Sequence, residues 1–355
     1  MHHMNMVRCL ILTLTVFLLV ACAAPHVQTA SNVTRLPVLT PDHVVMDDGY
    51  VLPLSLWRPE QEPRAVVLAL HGFNDYRNAF AGVGPRLATG GIVTYAYDQR
   101  GFGETAQRGI WPGSDRLASD LDALSRLLCA EHPDLPLYLL GESMGAAVIL
   151  EALQQMDARC VSGVVLMAPA VWGWRTMPLW QQSALWLAAH IAPGSKVSGE
   201  GLDIIASDNI EMLRALGRDP LVIKQSRIDT IFGLTSLMDA ALIASSGLTI
   251  PGLILYGEKD EIIPALPVCR MLNALPGPPA GQWRFVLYPQ GYHMLSRDLH
   301  SDTVLDDVLA WLLDHNKQLP SGFEITKGDI RLQTMCEATP VSGDRPAGTH
   351  ALRTF

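Results

Sequence analysis

The segment from Leu135 to Leu153, LPLYLLGESMGAAVILEAL, constrains the fold more than any other part of the chain. Its first half is short, apolar and bounded by Pro136 and Gly141, which predicts a buried parallel strand. Its second half is rich in good helix formers, with apolar residues at helical spacing. Between them, residues 141–145 (GESMG) match the G-x-S-x-G pattern, in which a sharp turn exposes the hydroxyl of Ser143. A chance Gly-Ser-Gly loop is the alternative, and the flanking strand and helix argue against it.

This turn places Ser143 in an environment that suits a nucleophile. Glycine allows the backbone to turn sharply where neighbouring elements press close. The helix N-terminus behind Ser143 offers unpaired N–H groups and a partial positive charge to a developing oxyanion. The pattern therefore indicates a nucleophile.

Composition excludes several other classes of protein. The chain has 355 residues, of which 49% are hydrophobic and 17% charged, so it can bury a large core. Its formal net charge is −9 and its basic residues are not clustered, which argues against nucleic acid as a partner. No internal repeat stands out, and no Cys/His spacing resembles a zinc site. The sequence implies neither a metal nor an organic cofactor.

The N-terminal residues resemble a targeting segment. Arg8 precedes an apolar stretch, Cys9–Val20, that is shorter than the roughly 20 residues needed to span a membrane. It fits the apolar region of a secretory signal. Residues 19–22 (LVAC) then resemble the bacterial lipobox, whose cysteine is lipidated and becomes the new N-terminus. An ordinary signal peptide cleaved after Ala21 or Ala24 is the alternative.

We therefore expect residues 1–21 to be a lipoprotein signal and Cys22 to carry lipid chains that anchor the protein stably to a membrane. This predicts an exported, membrane-anchored lipoprotein of the bacterial cell envelope, facing the periplasm or the cell surface. Residues 22–40 are expected to be a flexible tether.

Four cysteines follow the lipobox: Cys129, Cys160, Cys269 and Cys336. An exported protein could oxidise them, and four cysteines allow three pairings, among which the sequence does not choose. Buried free thiols are an equal alternative.

The pattern of elements predicts an α/β fold. A hairpin around Asp47-Asp48-Gly49 comes first. Apolar strands and amphipathic helices then alternate, one helix beginning at Ser114 or Asp115, which implies a mostly parallel, twisted sheet flanked by helices on both faces. We expect residues 41–170 and 248–318 to form the core, residues 171–247 to be an inserted helical cap, and residues 319–355 to be a mobile tail.

A serine nucleophile needs a base, and the base needs an acid that holds its tautomer. After Ser143, the segment LILYGEKDEIIP places Asp260 just past a strand, and FVLYPQGYHML places His293 past the next one. This order, Ser, Asp, His, is that of the α/β hydrolases. The rival acids are Glu258 and Glu261; the rival bases are His190, His300 and His315.

The oxyanion hole needs two backbone N–H groups. One is expected from Met144, the residue after the nucleophile, and the other from Phe73, in the loop that follows an earlier strand. His71 lies beside that loop, and a structural role is expected for it. Asp98 precedes the serine in chain order, so DQRGFG is interpreted as a structural loop that shapes the site.

Five motifs in order resemble one family: HGFNDY, DQRGFGET, GESMGAA, GEKDEIIP and GYHML. They are similar to those of the monoacylglycerol lipase and lysophospholipase branch of the α/β-hydrolase superfamily, over roughly Val44 to Lys317. The resemblance implies that fold and a triad of Ser143, Asp260 and His293, with oxyanion N–H groups at Phe73 and Met144. A serine nucleophile disfavours the dehalogenases and epoxide hydrolases of the same fold, which use Asp.

One position departs from the family pattern. Many bacterial and animal members have His directly before the nucleophile, whereas this chain has Glu142, as in plant-like members. The departure leaves the triad intact and weakens any transfer of substrate identity.

The insertion carries half of the 8 Trp residues of the chain. Trp180, Ala184, Leu187 and Ile191 fall on one helical face. As the family suggests, this face is expected to form an apolar cap over an acyl pocket, with Trp180 and Trp186 in contact with substrate; packing of the cap onto the core is the alternative. A second cap helix is expected to begin with a capping box of Asp208 and Glu211.

Three functions are consistent with the sequence. The first is a membrane-anchored serine hydrolase that cleaves monoacylglycerol or lysophospholipid esters through an acyl-enzyme. The second is a carboxylesterase for short or aromatic esters. The third is a lipid-binding or assembly lipoprotein on a hydrolase scaffold, which a complete triad disfavours. Small lipid esters and the membrane are the expected partners, and the sequence names no protein partner.

Overall fold

The computed structural model describes residues 24–29, 31, 33–278, 282–326 and 328–337. The predicted signal segment, the lipidation residue Cys22 and residues 338–355 lie outside these ranges. The strands are β1 (Val38–Leu39), β2 (His43–Val45), β3 (Val51–Trp57), β4 (Ala65–Leu70), β5 (Ile92–Tyr97), β6 (Leu137–Glu142), β7 (Val161–Met167), β8 (Lys196–Val197), β9 (Ser226–Arg227), β10 (Gly252–Gly257), β11 (Trp283–Tyr288) and β12 (Glu324–Ile325).

All strands except β8 and β9 join one ten-stranded sheet in the order β1-β2-β3-β5-β4-β6-β7-β10-β11-β12. The six central strands, from β5 to β11 in this order, pair in parallel. The edges are antiparallel, with β1, β2 and β3 at one side and β12 at the other. The predicted hairpin is the β2–β3 pair. The predicted α/β-hydrolase architecture, a mostly parallel sheet flanked by helices, is confirmed.

The helices are α1 (Val83–Ala88), α2 (Ser114–Glu131), α3 (Met144–Ala152), α4 (Leu179–Ile191), α5 (Ile210–Arg218), α6 (Ile228–Ala244), α7 (Ala265–Ala274), α8 (Ser301–Leu313) and α9 (Ile330–Glu337). Helices α1 and α8 bury apolar side chains against one face of the sheet. Helices α2, α3 and α7 cover the other face. The central strands are buried on both faces, which explains their continuous apolar runs.

The insertion between β7 and β10 holds α4, α5, the small β8–β9 sheet and α6. Helix α6 is not only a cap element, because Leu237 and Ala241 are fully buried in the core cluster. By length and composition the stretch Ile228–Gly247 could span a membrane, and half of it is buried inside the domain. Helix α6 therefore connects the cap to the core.

The start of α5 differs from the prediction. Its cap is Asn209, whose side-chain oxygen accepts a hydrogen bond from the backbone N–H of Met212 at 3.1 Å. The predicted capping box of Asp208 and Glu211 is wrong. The carboxylate of Asp208 accepts instead from the backbone N–H of Leu299 at 2.8 Å, so it joins the cap to the core.

The segment before the core is not a free tether in its described part. The backbone N–H of Gln28 donates to the carbonyl of Trp111 at 2.9 Å, and the Gln28 side chain donates to the carbonyl of Ile110. Residues 38–39 form β1 at the sheet edge. For the described residues among 24–40, the predicted tether of residues 22–40 is therefore corrected to a segment that contacts the domain.

The predicted mobile tail of residues 319–355 is wrong for the described residues 319–326 and 328–337. Strand β12 pairs with β11, and Leu332 and Met335 of α9 pack against the core. A disulfide joins Cys336 to Cys269 of α7, with the two Cα atoms 5.7 Å apart. A two-residue strand and a cross-link need no long apolar pattern, which is why polar composition did not reveal this element.

A second disulfide joins Cys129 of α2 to Cys160, directly before β7, with the Cα atoms 6.2 Å apart. The two bridges settle the pairing that the sequence left open and exclude buried free thiols at these four positions.

Candidate active site

Ser143 lies at the turn between β6 and α3, with φ of 54° and ψ of −113°. A non-glycine residue rarely has a positive φ, so the turn holds this serine in a strained conformation. The neighbouring glycines are required by contact: a Cβ on Gly145 would lie 2.1 Å from the carbonyl oxygen of Leu70, and one on Gly141 would lie 2.4 Å from the backbone N of Ala146. The predicted nucleophile elbow is present in its expected place.

The three predicted triad residues meet at the carboxyl ends of β6, β10 and β11. His293 Nε2 lies 2.9 Å from Ser143 Oγ, and His293 Nδ1 lies 2.8 Å from Asp260 Oδ2. All three residues are buried. The other carboxylate oxygen of Asp260 accepts from the backbone N–H groups of Ile262 and Ile263, which fixes the acid in this orientation.

The rival acid and base residues lie elsewhere. Glu261 accepts from the backbone N–H of Ile205 in the cap. The His190 ring stacks on Trp186, and the His315 ring stacks on Trp311. His300 is exposed beside α8. None of these side chains contacts Ser143 or His293.

The electrostatic surroundings suit His293 as a base. Burial opposes protonation of His293, but the charge and hydrogen bond of Asp260, with a contribution from Glu142, outweigh it and raise the pKa of His293. His71 differs, because burial lowers its pKa. Its Nε2 accepts from the backbone N–H of Gln99 and its Nδ1 donates to the carbonyl of Gly72, so it is a neutral structural group, as expected.

The loop around Asp98 is also structural. Asp98 is fully buried and accepts from the backbone N–H groups of Arg77 and Glu104, while the Arg77 side chain pairs with it. This arrangement fixes the DQRGFG turn next to the site, as the sequence predicted.

The two predicted oxyanion residues lie on the expected elements. Met144 is the first residue of α3, and Phe73 follows β4. The intervening backbone is close to the nucleophile, since a Cβ on Gly72 would lie 3.4 Å from the Ser143 Cβ. Phe73 also borders the cavity into which the nucleophile opens.

That cavity has a volume of about 330 Å³. One part of its wall is apolar and the other part is polar. Ser143 and His293 also line the cavity, so they can reach a substrate that contacts both parts of the wall. The apolar part includes Ala170, Trp172, Leu234, Met238, Ile262 and Ile263. The polar part comprises Asp75, Glu142 and Arg297.

The structure does not bring Trp180 and Trp186 to this cavity. Their side chains are 70% and 54% exposed on α4, and Trp172 lines the cavity instead. Trp180, Ala184 and Leu187 of the predicted stripe are exposed and Ile191 is only partly buried, while Ala189 is the buried residue of the helix. The prediction that this stripe contacts substrate is wrong, because helical spacing identifies an apolar face but not the direction in which it points.

Sequence reasoning missed a charged cluster beside the triad. Arg297 donates to Asp75 at 2.7 Å and to Glu142 at 2.6 Å, and Ser296 donates to the second oxygen of Glu142 at 2.8 Å. The sequence signal was the polar SRD directly after the apolar residues that follow His293. In the part of the chain that the structure describes, no group of three His, Cys, Asp or Glu side chains could hold a metal ion.

A family model described as serine aminopeptidase S33 (Hydrolase_4) matches residues 61–300. The chain belongs to the Hydrolase_4 family. It is 26% identical over 272 residues to a monoacylglycerol lipase from Mycolicibacterium smegmatis, covering 75% of this chain and 94% of that one. A phospholipase from Bacillus subtilis is 25% identical over 226 residues, covering 62% of this chain and 84% of that one.

Solved structures show the same fold. A soluble variant of monoglyceride lipase from Saccharomyces cerevisiae, in complex with a substrate analog, superposes with a TM-score of 0.66 at 22% identity. The match covers 83% of this chain and 99% of that one. The monoacylglycerol lipase of Paleococcus ferrophilus superposes with a TM-score of 0.63 at 21% identity, covering 75% and 99%. This Hydrolase_4 chain is therefore an α/β hydrolase of monoacylglycerol-lipase-like architecture.

Proposed function

We propose that this protein is a serine hydrolase that cleaves carboxylic esters of the monoacylglycerol or lysophospholipid type, with Ser143 as nucleophile. The observation that carries the proposal is the continuous hydrogen-bonded path from Ser143 through His293 to Asp260, opening into a cavity that is mainly apolar. Such a path serves proton transfer to and from a serine hydroxyl.

The proposed reaction proceeds through an acyl-enzyme. As Ser143 Oγ attacks the ester carbonyl carbon, its proton passes to His293 Nε2 and the carbonyl oxygen becomes an oxyanion. The N–H groups of Met144 and Phe73 stabilise that oxyanion. The bond to the alcohol then breaks, His293 returns the proton to the leaving oxygen, and the acyl group remains on Ser143. Water repeats the sequence with His293 as base and releases the carboxylic acid.

The two parts of the cavity wall suit the two parts of such an ester. Trp172, Leu234 and Met238 offer apolar contact to an acyl chain, and each buried CH₂ of that chain contributes about 0.8 kcal/mol. The carboxylates of Asp75 and Glu142 offer hydrogen-bond acceptors to the hydroxyl groups of a small polar alcohol. This division supports a single-chain lipid ester, and the relatives named monoacylglycerol lipase and phospholipase agree with it.

Two features support action at a membrane in an exported protein. Leu179, Trp180 and Leu187 expose large apolar side chains on α4, and such surfaces favour insertion into a lipid interface. The two disulfides fit an oxidising compartment. We therefore propose export and anchoring through a lipidated Cys22. With Cys22→Ser, radiolabelled fatty acid should no longer incorporate; incorporation at the wild-type level would refute the anchor.

The catalytic proposal is tested with a fluorophosphonate probe and a panel of substrates. The wild-type protein should be labelled, and Ser143→Ala should not. Monoacylglycerols and lysophospholipids of increasing chain length should outperform short and aromatic esters and peptide amides in kcat/KM. Preference for short or aromatic esters would make the protein a carboxylesterase, and absence of both labelling and turnover would make it a non-catalytic lipid binder.

A further inference from the structure

Three consecutive side chains after the catalytic histidine are buried or nearly so: Ser296, Arg297 and Asp298. The middle one, Arg297, lies with its guanidinium between two carboxylates, at 2.7 Å from Asp75 and 2.6 Å from Glu142. The side chains of Arg297, Asp75 and Glu142 are 12%, 8% and 3% exposed. The cluster therefore lies in a region where charges interact strongly.

The charges of this cluster do not cancel. Two carboxylates and one guanidinium sum to −1, and both carboxylates border the cavity that holds Ser143. Burial would lower the pKa of Arg297, but Glu142 and Asp75 raise it above its ordinary value, so Arg297 stays charged. Without Arg297 two buried negative charges would stand uncompensated beside the triad, which is a costly arrangement.

The charged groups that face His293 come from several elements. Asp260 follows β10, Glu142 ends β6, and Asp75 follows β4. Arg297 and Asp298 lie on the histidine's own loop. Asp298 accepts from the backbone N–H of Tyr292 and from Ser207 of the cap, and Asp208 of the cap lies nearby at Leu299. His71 is neutral, so Arg297 is the cation of this set.

The direction of the electrostatic effect follows from these positions. Glu142 raises the pKa of His293, and Arg297 lowers it. The same two charges act on the transition state, because a carboxylate near the developing oxyanion opposes its formation and a cation favours it.

We propose that Arg297 is a positioning residue that acts through its charge, screening Glu142 and Asp75 from the catalytic base and from the oxyanion. The proposal rests on the Ser143–His293 chemistry proposed above. In this arrangement Arg297 makes a carboxylate, Glu142, tolerable directly before the nucleophile.

The test is a charge-balance series. The cluster carries −1 in the wild type, −2 in Arg297→Met, 0 in Glu142→Gln and again −1 in the double variant. The acid limb of the kcat/KM profile for p-nitrophenyl butyrate should move up by about one pH unit in Arg297→Met, the scale expected for one uncompensated charge a few ångströms away. It should move down in Glu142→Gln and return near its wild-type position in the double variant.

A role in packing alone predicts a different pattern. The double variant would then be at least as impaired as Arg297→Met, and no limb would shift; that result would overturn the proposal. Arg284→Met is the matched control, because Arg284 is also a partly buried arginine paired with a carboxylate, Glu324, away from the site. It should leave the profile unchanged.

A second measurement separates this inference from the proposed function. Titration of the His293 imidazole by ¹⁵N NMR, assigned with His293→Gln, reports its pKa without turnover. If the protein hydrolyses no ester but the His293 pKa is still highest in Arg297→Met and lowest in Glu142→Gln, the proposed function is refuted and the proposed role of Arg297 in setting that pKa is supported. If the enzyme is active but the His293 pKa is the same in all variants, only the proposed role of Arg297 is refuted. If Arg297→Met does not fold, Arg297→Lys should keep the wild-type pKa while Glu142→Gln still lowers it.

Discussion

The loops around Ser143 and helix α4 of the cap belong to the same domain but are held in different ways. The catalytic loops are fixed by buried hydrogen bonds and ion pairs from several strands. Helix α4 buries little more than Ala189 and exposes Trp180 and Trp186 to solvent. The difference indicates that the chemistry is localised in the rigid loops, whereas helix α4 presents an exposed apolar surface. Four predictions test this division, in order of expected effect.

The largest effect is expected inside the rigid part. Ser143→Ala and His293→Ala should each lower ester turnover by several orders of magnitude, and the double variant should be little worse, because triad members act as a unit. Asp260→Asn should also be severe, since the imidazole loses its orienting acceptor. Steady-state kinetics with p-nitrophenyl butyrate measure these losses. Near-wild-type turnover in Asp260→Asn together with an inactive Glu261→Gln would show that the acid is misassigned.

The second prediction compares the cavity wall with the exposed face of helix α4. Met238→Ala and Trp172→Ala should lower kcat/KM for dispersed long-chain monoacylglycerol roughly 10- to 100-fold relative to a butyrate ester, because lost contacts of 1.4 kcal/mol amount to a factor of ten. Trp180→Ser with Trp186→Ser should leave both dispersed substrates unchanged and slow hydrolysis only in lipid vesicles.

Kinetics on dispersed and vesicle substrates, with a melting curve for each variant, distinguish these outcomes. If the Trp180 and Trp186 variant loses activity on dispersed long esters, helix α4 contacts substrate after all. If it loses activity nowhere, the exposed surface has no role at the lipid interface.

Features of the molecule that leave a local sequence pattern were predictable, and features that depend on tertiary contacts were not. The turn at Ser143 and the strand ends that carry Asp260 and His293 were predictable, because a nucleophile elbow and buried strands leave strong local patterns. The charged cluster was not, since Asp75 and Arg297 are 222 positions apart and their pairing depends on tertiary structure. The outward face of α4 was missed because periodicity does not encode direction. Strand β12 and α9 were missed because their place is set by one strand pair and one disulfide.

A smaller effect is expected where the cap contacts the loop that carries the catalytic histidine. Ser207 of the cap donates to buried Asp298 at 2.5 Å, and Asp298 also accepts from the N–H of Tyr292, next to the catalytic histidine. Ser207→Ala removes a hydrogen bond to an acidic group, worth about 1.5–3 kcal/mol when that group is charged. We expect a lower melting temperature and a few-fold loss of kcat. Ser31→Ala, at an exposed serine of the N-terminal segment, is the control. If both variants behave alike, the Ser207–Asp298 hydrogen bond contributes neither to stability nor to turnover.

The smallest effect is expected at Glu151, on α3 behind the nucleophile. One of its carboxylate oxygens is buried without a hydrogen-bond partner among the described residues. Burial, with a contribution from Asp115, raises the pKa of Glu151 to about 7. A raised carboxyl pKa means that ionisation costs folding stability, beginning near the ordinary pKa of about 4.5 and complete above about pH 7.

Glu151→Gln removes this cost. It should raise the melting temperature at pH 8 by roughly a few degrees, have no such effect near pH 4, and leave turnover unchanged. Thermal melts of both proteins across this pH range provide the measurement. An unchanged or lower melting temperature at pH 8 would mean that Glu151 finds a partner in solution.

The bridge between Cys269 and Cys336 has a consequence for the order in which the molecule is completed. It closes a ring of chain that contains His293 but neither Asp260 nor Ser143. Synthesis runs from the N-terminus, so the ring cannot close until every triad residue has been made. A chain that contains the oxidised bridge has therefore been synthesised beyond its last catalytic residue. The bridge can be detected as a difference in gel mobility between reduced and non-reduced protein, before any substrate is added.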